Sequence, residues 1–135
     1  MAEITYRSNI KITAEQFIDL LKRSTLDQRR PVDQPERIQQ MLDHGNVLVT
    51  AWVDQKLVGV SRALTDFSFC CYLSDLAVDE AYQHQGIGGK LVYMTHDVAG
   101  DKTMLLLLAA PAAQTYYPKI GMKQFEHCFI INRKN

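Results

Sequence analysis

Apolar and polar positions along this chain follow two periods, and the switches between them outline the elements. Ile4 and Tyr6 alternate with Glu3, Thr5 and Arg7, so Ala2 to Asn9 predicts a first strand. The period then lengthens. Ala14, Phe17, Ile18 and Leu21 mark one face of a helix. Thr13-Ala14-Glu15-Gln16 opens it as a capping box, and Lys22 and Arg23 suit its C-terminal end. Ser24 to Gln34 is polar, holds Arg29-Arg30-Pro31 and predicts a loop. Pro35 fits the first position of a second, short helix, with Ile38, Met41 and Leu42 as its apolar face and Gly45 as its stop.

Period two returns at Val47 to Val53. After the turn Asp54-Gln55-Lys56 it resumes over Leu57 to Leu64, which predicts a hairpin. A lone Trp52 in a strand is expected to pack, and Gly59 predicts a bulge or a close backbone approach. Thr65 to Ser68 connects to a long strand, Phe69 to Val78. Ile87, Leu91, Met94 and Val98 then lie along one helix face, and Gly100 with Asp101 closes that helix. Thr103 to Ala109 is nearly pure apolar and, at that length, fits a strand covered on both faces. Pro111 starts a short helix through Tyr117, Gly121 stops it, and Met122 to Asn132 predicts a last strand. The order is β-α-α-β-β-β-α-β-α-β. Strand–helix–strand crossovers imply some parallel pairing, and the hairpin makes the middle antiparallel. The expectation is an α/β fold with a mixed, mostly antiparallel sheet and helices on both faces, forming one domain over residues 1–135.

Composition narrows the partners. Fifteen basic residues balance fifteen acidic ones, which argues against broad nucleic-acid or membrane binding. No apolar run approaches the ~20 residues of a membrane span. The N-terminus lacks the basic and apolar regions of a secretory signal, so a cytoplasmic location with reduced thiols is expected. Cys70, Cys71 and Cys128 form no Cys-x-x-Cys, and His44, His84, His96 and His127 are scattered, so no metal site is expected.

The chemistry concentrates in Leu76-Ala-Val-Asp-Glu-Ala-Tyr-Gln-His-Gln-Gly-Ile-Gly-Gly-Lys90, where a strand pattern gives way to a helix pattern across a glycine-rich turn. Such a turn presents unpartnered N–H groups at the positive end of a helix dipole, which suits an anion, typically a phosphate. A Walker loop fails, because Lys90 precedes Leu91 and no glycine has the required spacing. A dinucleotide fingerprint is weak: Leu91 takes the place of the third glycine, and Ala109 and Ala110 stand where the acid belongs. A third pattern, Gln/Arg-x-x-Gly-x-Gly/Ala, is met by Gln83-His84-Gln85-Gly86-Ile87-Gly88.

Following Leu-Ala-Val at a strand end, this last pattern resembles the coenzyme A loop of the GNAT N-acetyltransferase superfamily. A second match lies in Ala113-Gln114-Thr115-Tyr116-Tyr117-Pro118-Lys119-Ile120-Gly121-Met122. It is similar to the family's Ala-x-x-Phe/Leu-Tyr-x-Lys-x-Gly-Phe, with Met122 in place of the usual Phe. With the flanking elements, the resemblance spans nearly the whole chain.

The resemblance implies acetyl coenzyme A as co-substrate, no metal, and direct transfer of acetyl to a primary amine in a ternary complex. A short chain with an unelaborated N-terminal region favours a small-molecule acceptor. The alternative is a non-catalytic acyl coenzyme A binding or sensing domain. The pyrophosphate would sit on the turn, held by backbone amides of His84, Gln85, Gly86, Ile87, Gly88 and Gly89 and flanked by Gln83 and Lys90. The pantetheine arm would pair beside Leu76, Ala77 and Val78, where the strand splays from its neighbour and backbone groups polarise the thioester carbonyl. Tyr117 matches the family's acid for the departing thiolate, and Tyr116 would line the cleft.

No general base is identified. If Leu76 and Val78 flank the thioester, strand parity brings Tyr72 and Ser74 to the same face and leaves Asp75 opposite, unless a bulge intervenes. Ala110 stands near where many relatives place an asparagine for the pantetheine arm. Arg29 and Arg30 lie in the segment that borders the acceptor site in such folds. They read first as a solvated charged loop and second as a greeting for an acidic substrate. The apolar Phe129-Ile130-Ile131 is compatible with the homodimers common among relatives.

Overall fold

The computed structural model describes residues 3–135, so Ala2, the start of the expected first strand, lies outside it. The strand itself, β1, is Thr5–Ser8. Helix α1, Ala14–Ser24, begins with the capping box read from the sequence: the Gln16 amide donates to Thr13 Oγ1 at 3.0 Å, and the Thr13 amide donates to Gln16 Oε1 at 2.9 Å. A single 3-10 turn, Leu26–Arg29, follows. Helix α2 is Pro35–His44, with proline in its first turn. Gly45 ends it with φ −77°, not the left-handed conformation that usually selects glycine there. The physical reason is packing, because a Cβ on Gly45 would meet the Arg62 side chain at 3.0 Å.

Strands β2 (Val47–Val53), β3 (Lys56–Thr65) and β4 (Cys70–Val78) form an antiparallel meander, with β1 paired to β2. Helix α3, Ile87–Ala99, carries the chain back across the sheet to β5, Met104–Leu106, which pairs parallel to β4. Helix α4 is Tyr116–Lys119. The sheet order β1-β2-β3-β4-β5 follows the chain, mostly antiparallel as expected.

Helices cover both faces. On one, Phe17, Leu20, Leu21 and Ile38 of α1 and α2 bury against Leu57, Val60 and Ala77. On the other, Ile87, Leu91, Val92 and Ala99 of α3 pack on Val49, Ala51, Ala63, Cys71 and Leu73. Each fully buried Leu, Ile or Phe contributes roughly 1.5–3 kcal/mol relative to exposure, so these two apolar interfaces hold the sheet between its layers.

Two bulges tune the sheet. Ala51 opposes Gly59 but Trp52 opposes Leu57, which makes Val58 an extra residue. Gly59 beside it has both features expected of it, since a Cβ there would meet Leu91 at 3.0 Å and Ile87 at 3.2 Å. Arg62 opposes Asp75 but Ala63 opposes Leu73, so Ser74 is an extra residue in β4.

Two expectations need correction. The apolar run after α3 is a strand only over Met104–Leu106 and is covered on one face. Leu105 and Leu107 pack toward the α3 side, whereas Met104 and Leu108 are more than half exposed. The α1–α2 layer rests on β3 and β4 and contributes no core residue against β5. The last strand, Met122 to Asn132, does not form: among the described residues no strand follows Leu106, and every residue from 123 to 135 is exposed. A strand needs a neighbour for its backbone groups, and this segment has none within its own chain.

Candidate active site

The first feature of the site is an opening in the sheet. Strand β4 pairs with β5 only at Cys70, Cys71 and Tyr72, then runs on to Val78 without a partner on that side. On the other side the Asp79 amide donates to Val58 O of β3 at 2.8 Å. Backbone groups alternate sides along an extended strand, so Ala77 turns its N–H and C=O toward Val60 of β3, and Leu76 and Val78 turn theirs to the open edge. One edge group is occupied: Gln83 Nε2 donates to Val78 O at 3.0 Å. Gln83 therefore ties the turn back to the strand end. The open edge presents N–H and C=O of Leu76 and N–H of Val78, a length that an amide-bearing chain can pair with as a strand would.

The second feature is the turn beyond β4. Asp79 Oδ1 accepts the Ala81 amide at 2.8 Å and sets the single 3-10 turn Glu80–Tyr82. Arg23 Nη1 of α1 donates to Asp79 Oδ2 at 2.5 Å, and Arg23 Nη2 donates to Leu57 O at 2.8 Å. The turn is thus clamped to the first helix. Backbone and Arg23 hydrogen bonds outweigh burial and hold the Asp79 carboxyl below its ordinary pKa, although burial is the largest single influence. His84 and Gly86 then take left-handed backbone, φ 66° and 83°, and the chain enters α3 at Ile87. Gly86 supplies no side-chain cap to this helix, and of its first-turn amides that of Gly89 donates to the Tyr116 hydroxyl. His84, Gln85 and Gly86 are exposed, while Ile87 and Gly88 are buried. Lys90 does not lean over the turn: its ammonium lies 4.7 Å from the ring centroid of Tyr6 on β1.

The third feature is the tyrosine pair of α4. A Cβ on Gly88 would lie 2.5 Å from the Tyr116 hydroxyl, so only glycine admits this ring at the start of α3. Burial raises the Tyr116 phenol pKa, and a hydrogen bond from the Gly89 amide partly opposes the rise. Tyr117 meets Tyr116 edge to face, with ring centroids 5.2 Å apart. Its phenol is also raised, first by burial and second by its neighbour, which keeps the hydroxyl protonated through neutral pH. Such a group can donate a proton to a developing thiolate. The structure thus brings Gly88, Gly89, Tyr116 and Tyr117 together where α3 meets α4, and packs Leu76 and Val78 of the open edge in the core cluster that holds Ile87 and Leu91 of α3.

The bulge at Ser74 overturns simple parity on β4. Leu73, Leu76 and Val78 all face the α3 side, while Asp75 and Ala77 face α1 and α2. Tyr72, preceding Leu73, lies on the opposite face from Leu76 and is partly exposed. Ser74 Oγ accepts Arg62 Nη2 at 3.2 Å. Asp75 is fully buried, with Arg62 Nε donating to one oxygen at 2.5 Å and Arg30 Nε to the other. Arg30 Nη2 also donates to Ser74 O at 2.7 Å. Arg30 is therefore a structural partner of β4, and only Arg29 of the pair is exposed. Sequence reasoning missed both carboxylate clamps, Asp75 with Arg30 and Arg62, and Asp79 with Arg23. The available signal was acids at the end of an apolar strand, but their partners lie tens of residues away.

Among the described residues, no three His, Cys, Asp or Glu side chains gather as metal ligands, and no helix is long and apolar enough to cross a membrane. None of the curated proteins matches the chain by sequence. Solved structures match its fold across nearly its full length. A GNAT family acetyltransferase from Streptococcus pneumoniae TIGR4 aligns with TM-score 0.73 and 22% identity over 98% of this chain and 100% of that one. The aminoglycoside N-acetyltransferase AAC(6')-Iy, in complex with CoA, gives 0.74 and 16% over 100% and 97%. An aminoglycoside acetyltransferase, meta-AAC0020, from an uncultured soil metagenomic sample, in complex with trehalose, gives 0.69 and 21% over 96% and 97%. At these identities the likeness carries the fold. The family follows from the sequence itself, since the model of the acetyltransferase (GNAT) family matches residues 14–122, from the start of α1 through the segment beyond α4. With an open β4 edge, a glycine turn into α3 and a tyrosine pair on α4 all inside that span, the chain belongs to the GNAT acetyltransferase family.

Proposed function

We propose that this protein transfers acetyl from acetyl coenzyme A to a primary amine of a small molecule, directly and within a ternary complex. The observation that carries the reading is the unpaired edge of β4 at Leu76 and Val78, followed in the chain by the glycine turn that opens α3. These residues fit coenzyme A chemistry. The Leu76 and Val78 backbone groups match the amides of a pantetheine arm, and the exposed turn His84-Gln85-Gly86 leading into α3 matches a pyrophosphate. The glycine at position 88 admits the Tyr116 hydroxyl at that helix start. Acetyl coenzyme A bound there would supply an activated thioester. A β4 amide would bond its carbonyl oxygen more strongly as negative charge develops, and the Tyr117 hydroxyl would hold the proton for the leaving sulfur. The CoA complex of AAC(6')-Iy and the aminoglycoside acetyltransferases among the structural neighbours support an acyl coenzyme A donor and a small amine acceptor.

The test is a melt with acetyl coenzyme A, followed by thiol release against a panel of amines that includes aminoglycosides. A ligand that binds only the folded state raises the melting temperature, by about 2.7 kcal/mol of added stability at a hundred times its dissociation constant. The Gly88→Val variant, whose new side chain displaces Tyr116, should lose that shift while remaining folded. Undiminished acetyl coenzyme A binding in Gly88→Val would remove the turn from the site. Binding without thiol release for any amine would favour a sensing domain.

A further inference from the structure

We propose that the acceptor is a monoamine with an apolar body, aryl or alkyl, and that this body rests on a bare patch of the sheet at the closed end of the β4–β5 opening. The inference rests on the transfer reaction proposed above and names the class of its acceptor. Strand pairing defines the patch. Leu64 of β3 opposes Tyr72 of β4, and Tyr72 opposes Leu106 of β5, so the three side chains stand in one row across the sheet. Cys70 and Met104 form the next row in the same way. Val60, Arg62 and Asp75 lie on this same face and are buried there under α1, α2 and their connection. The rows beyond them are open: Leu64, Tyr72 and Leu106 are 41%, 38% and 41% exposed, and Met104 is 60% exposed.

The patch adjoins the reacting end of the site. Tyr72 and Leu106 are the last pair before β4 and β5 part. The glycine turn follows the other end of β4, so an arm that leaves a pyrophosphate there runs back past Val78 and Leu76 toward this row. Its thioester end then comes to the closed end of the opening. At about 3.3 Å per residue, less one residue for the bulge, Tyr72 stands roughly 10–13 Å along β4 from Leu76, the reach of a medium-length alkyl or arylalkyl chain.

Charge selects the class. Toward the core the patch is bordered by Asp75 with Arg30 and Arg62, two guanidiniums to one carboxylate, and the exposed Arg29 adjoins Arg30. At the far end the Asp66 carboxylate is taken up by the amides of Ser68, Phe69 and Cys70. A polycationic acceptor meets excess positive charge at the Arg30–Asp75–Arg62 border. An apolar body meets side chains that it removes from water together with itself.

The test is thiol release from acetyl coenzyme A by the full chain with butylamine, hexylamine and octylamine, which share one basicity and differ only in their tails, beside spermidine and kanamycin. As the tail leaves water, kcat/KM should rise about two- to fourfold for each methylene, and spermidine and kanamycin should fall below octylamine. Leu64→Thr/Leu106→Thr puts smaller, polar, strand-compatible side chains at two exposed positions and should flatten the series. A melt with acetyl coenzyme A checks that this variant is folded and binds the donor. The series in the unaltered protein decides the class by itself, and the variant decides the place. A flat series, a preference for spermidine or kanamycin, or a series as steep in the folded variant as in the parent would each overturn the proposal and leave acetyl transfer standing. Absence of thiol release with every amine would overturn it together with the reading on which it rests.

Discussion

Replacing Asp75 with alanine removes the acid that two guanidinium groups share. Asp75 has no exposed surface, and Arg62 keeps only 7% of its side chain in solvent. Arg62 Nε donates to Asp75 Oδ2 at 2.5 Å, and its Nη1 reaches Met41 O of α2 at 3.0 Å. Asp75→Ala leaves that guanidinium charged, buried and without its counterion, a change that costs about 3–5 kcal/mol. Against a total stability of roughly 5–15 kcal/mol this is a large fraction, and it corresponds to a melting temperature about 10–20 °C lower. Arg30→Ala is the control. Asp75 then keeps Arg62, and Arg30 is 21% exposed, so the loss should be only about 1–2 kcal/mol. Urea unfolding of the parent, both single variants and the double variant gives the coupling directly, with the denaturant slope checked for constancy. A cost below about 1 kcal/mol for Asp75→Ala, the range of an exposed ion pair, would refute the reasoning, because it would mean water already solvates these charges.

Two further perturbations separate chemistry from architecture. Tyr117→Phe keeps the ring against Tyr116 and deletes the hydroxyl, so the fold and acetyl coenzyme A affinity should hold while turnover falls ~10²-fold in steady-state assays. Because burial raises its phenol pKa, any alkaline loss of turnover from this group should come at higher pH than for an ordinary phenol, and an unchanged turnover in Tyr117→Phe would strike Tyr117 from the mechanism. Asp66 Oδ1 accepts the amides of Ser68, Phe69 and Cys70 at 2.8–3.1 Å, which lowers its pKa from 3.8 to about 2. A depressed acid stabilises the fold above its unfolded pKa and loses that contribution as pH falls toward its folded one. Stability should therefore drop between pH 4 and pH 2, and Asp66→Asn should flatten that part of the profile in urea melts.

The legible parts of the chain were those fixed by neighbours in sequence. Thr13 and Gln16 are three residues apart and close their capping box wherever the rest of the chain lies. The hairpin, the glycine turn and the Gly121 stop are equally local, and Gly121 indeed has φ 96°. What misled were features set by distant partners. Met104-Leu105-Leu106-Leu107-Leu108 looks buried on both faces, yet burial depends on a layer that α1 and α2 do not extend so far. Met122 to Asn132 has a strand's composition, but a strand exists only where an edge is offered to it. Gly45 ends a helix, yet its glycine answers to Arg62, seventeen positions on.

The Ser74 bulge connects most of what sequence alone left open. Its cause is non-local: Asp75 must turn inward to meet Arg62 across the hairpin and Arg30 from the α1–α2 connection, 13 and 45 residues away. Inserting one residue at Ser74 lets Asp75 do this while Leu73 before it and Leu76 after it both keep to the α3 side. A bulge also bends its strand and increases local twist. Pairing of β4 with β5 stops at Tyr72, two residues before the bulge, and the free edge of Leu76 and Val78 begins just after it. The charged cluster and the open edge therefore both lie just beyond the same insertion in β4. The Arg30–Asp75 pair fixes the α1–α2 connection, which also carries the exposed Arg29, to the strand that bears the open edge.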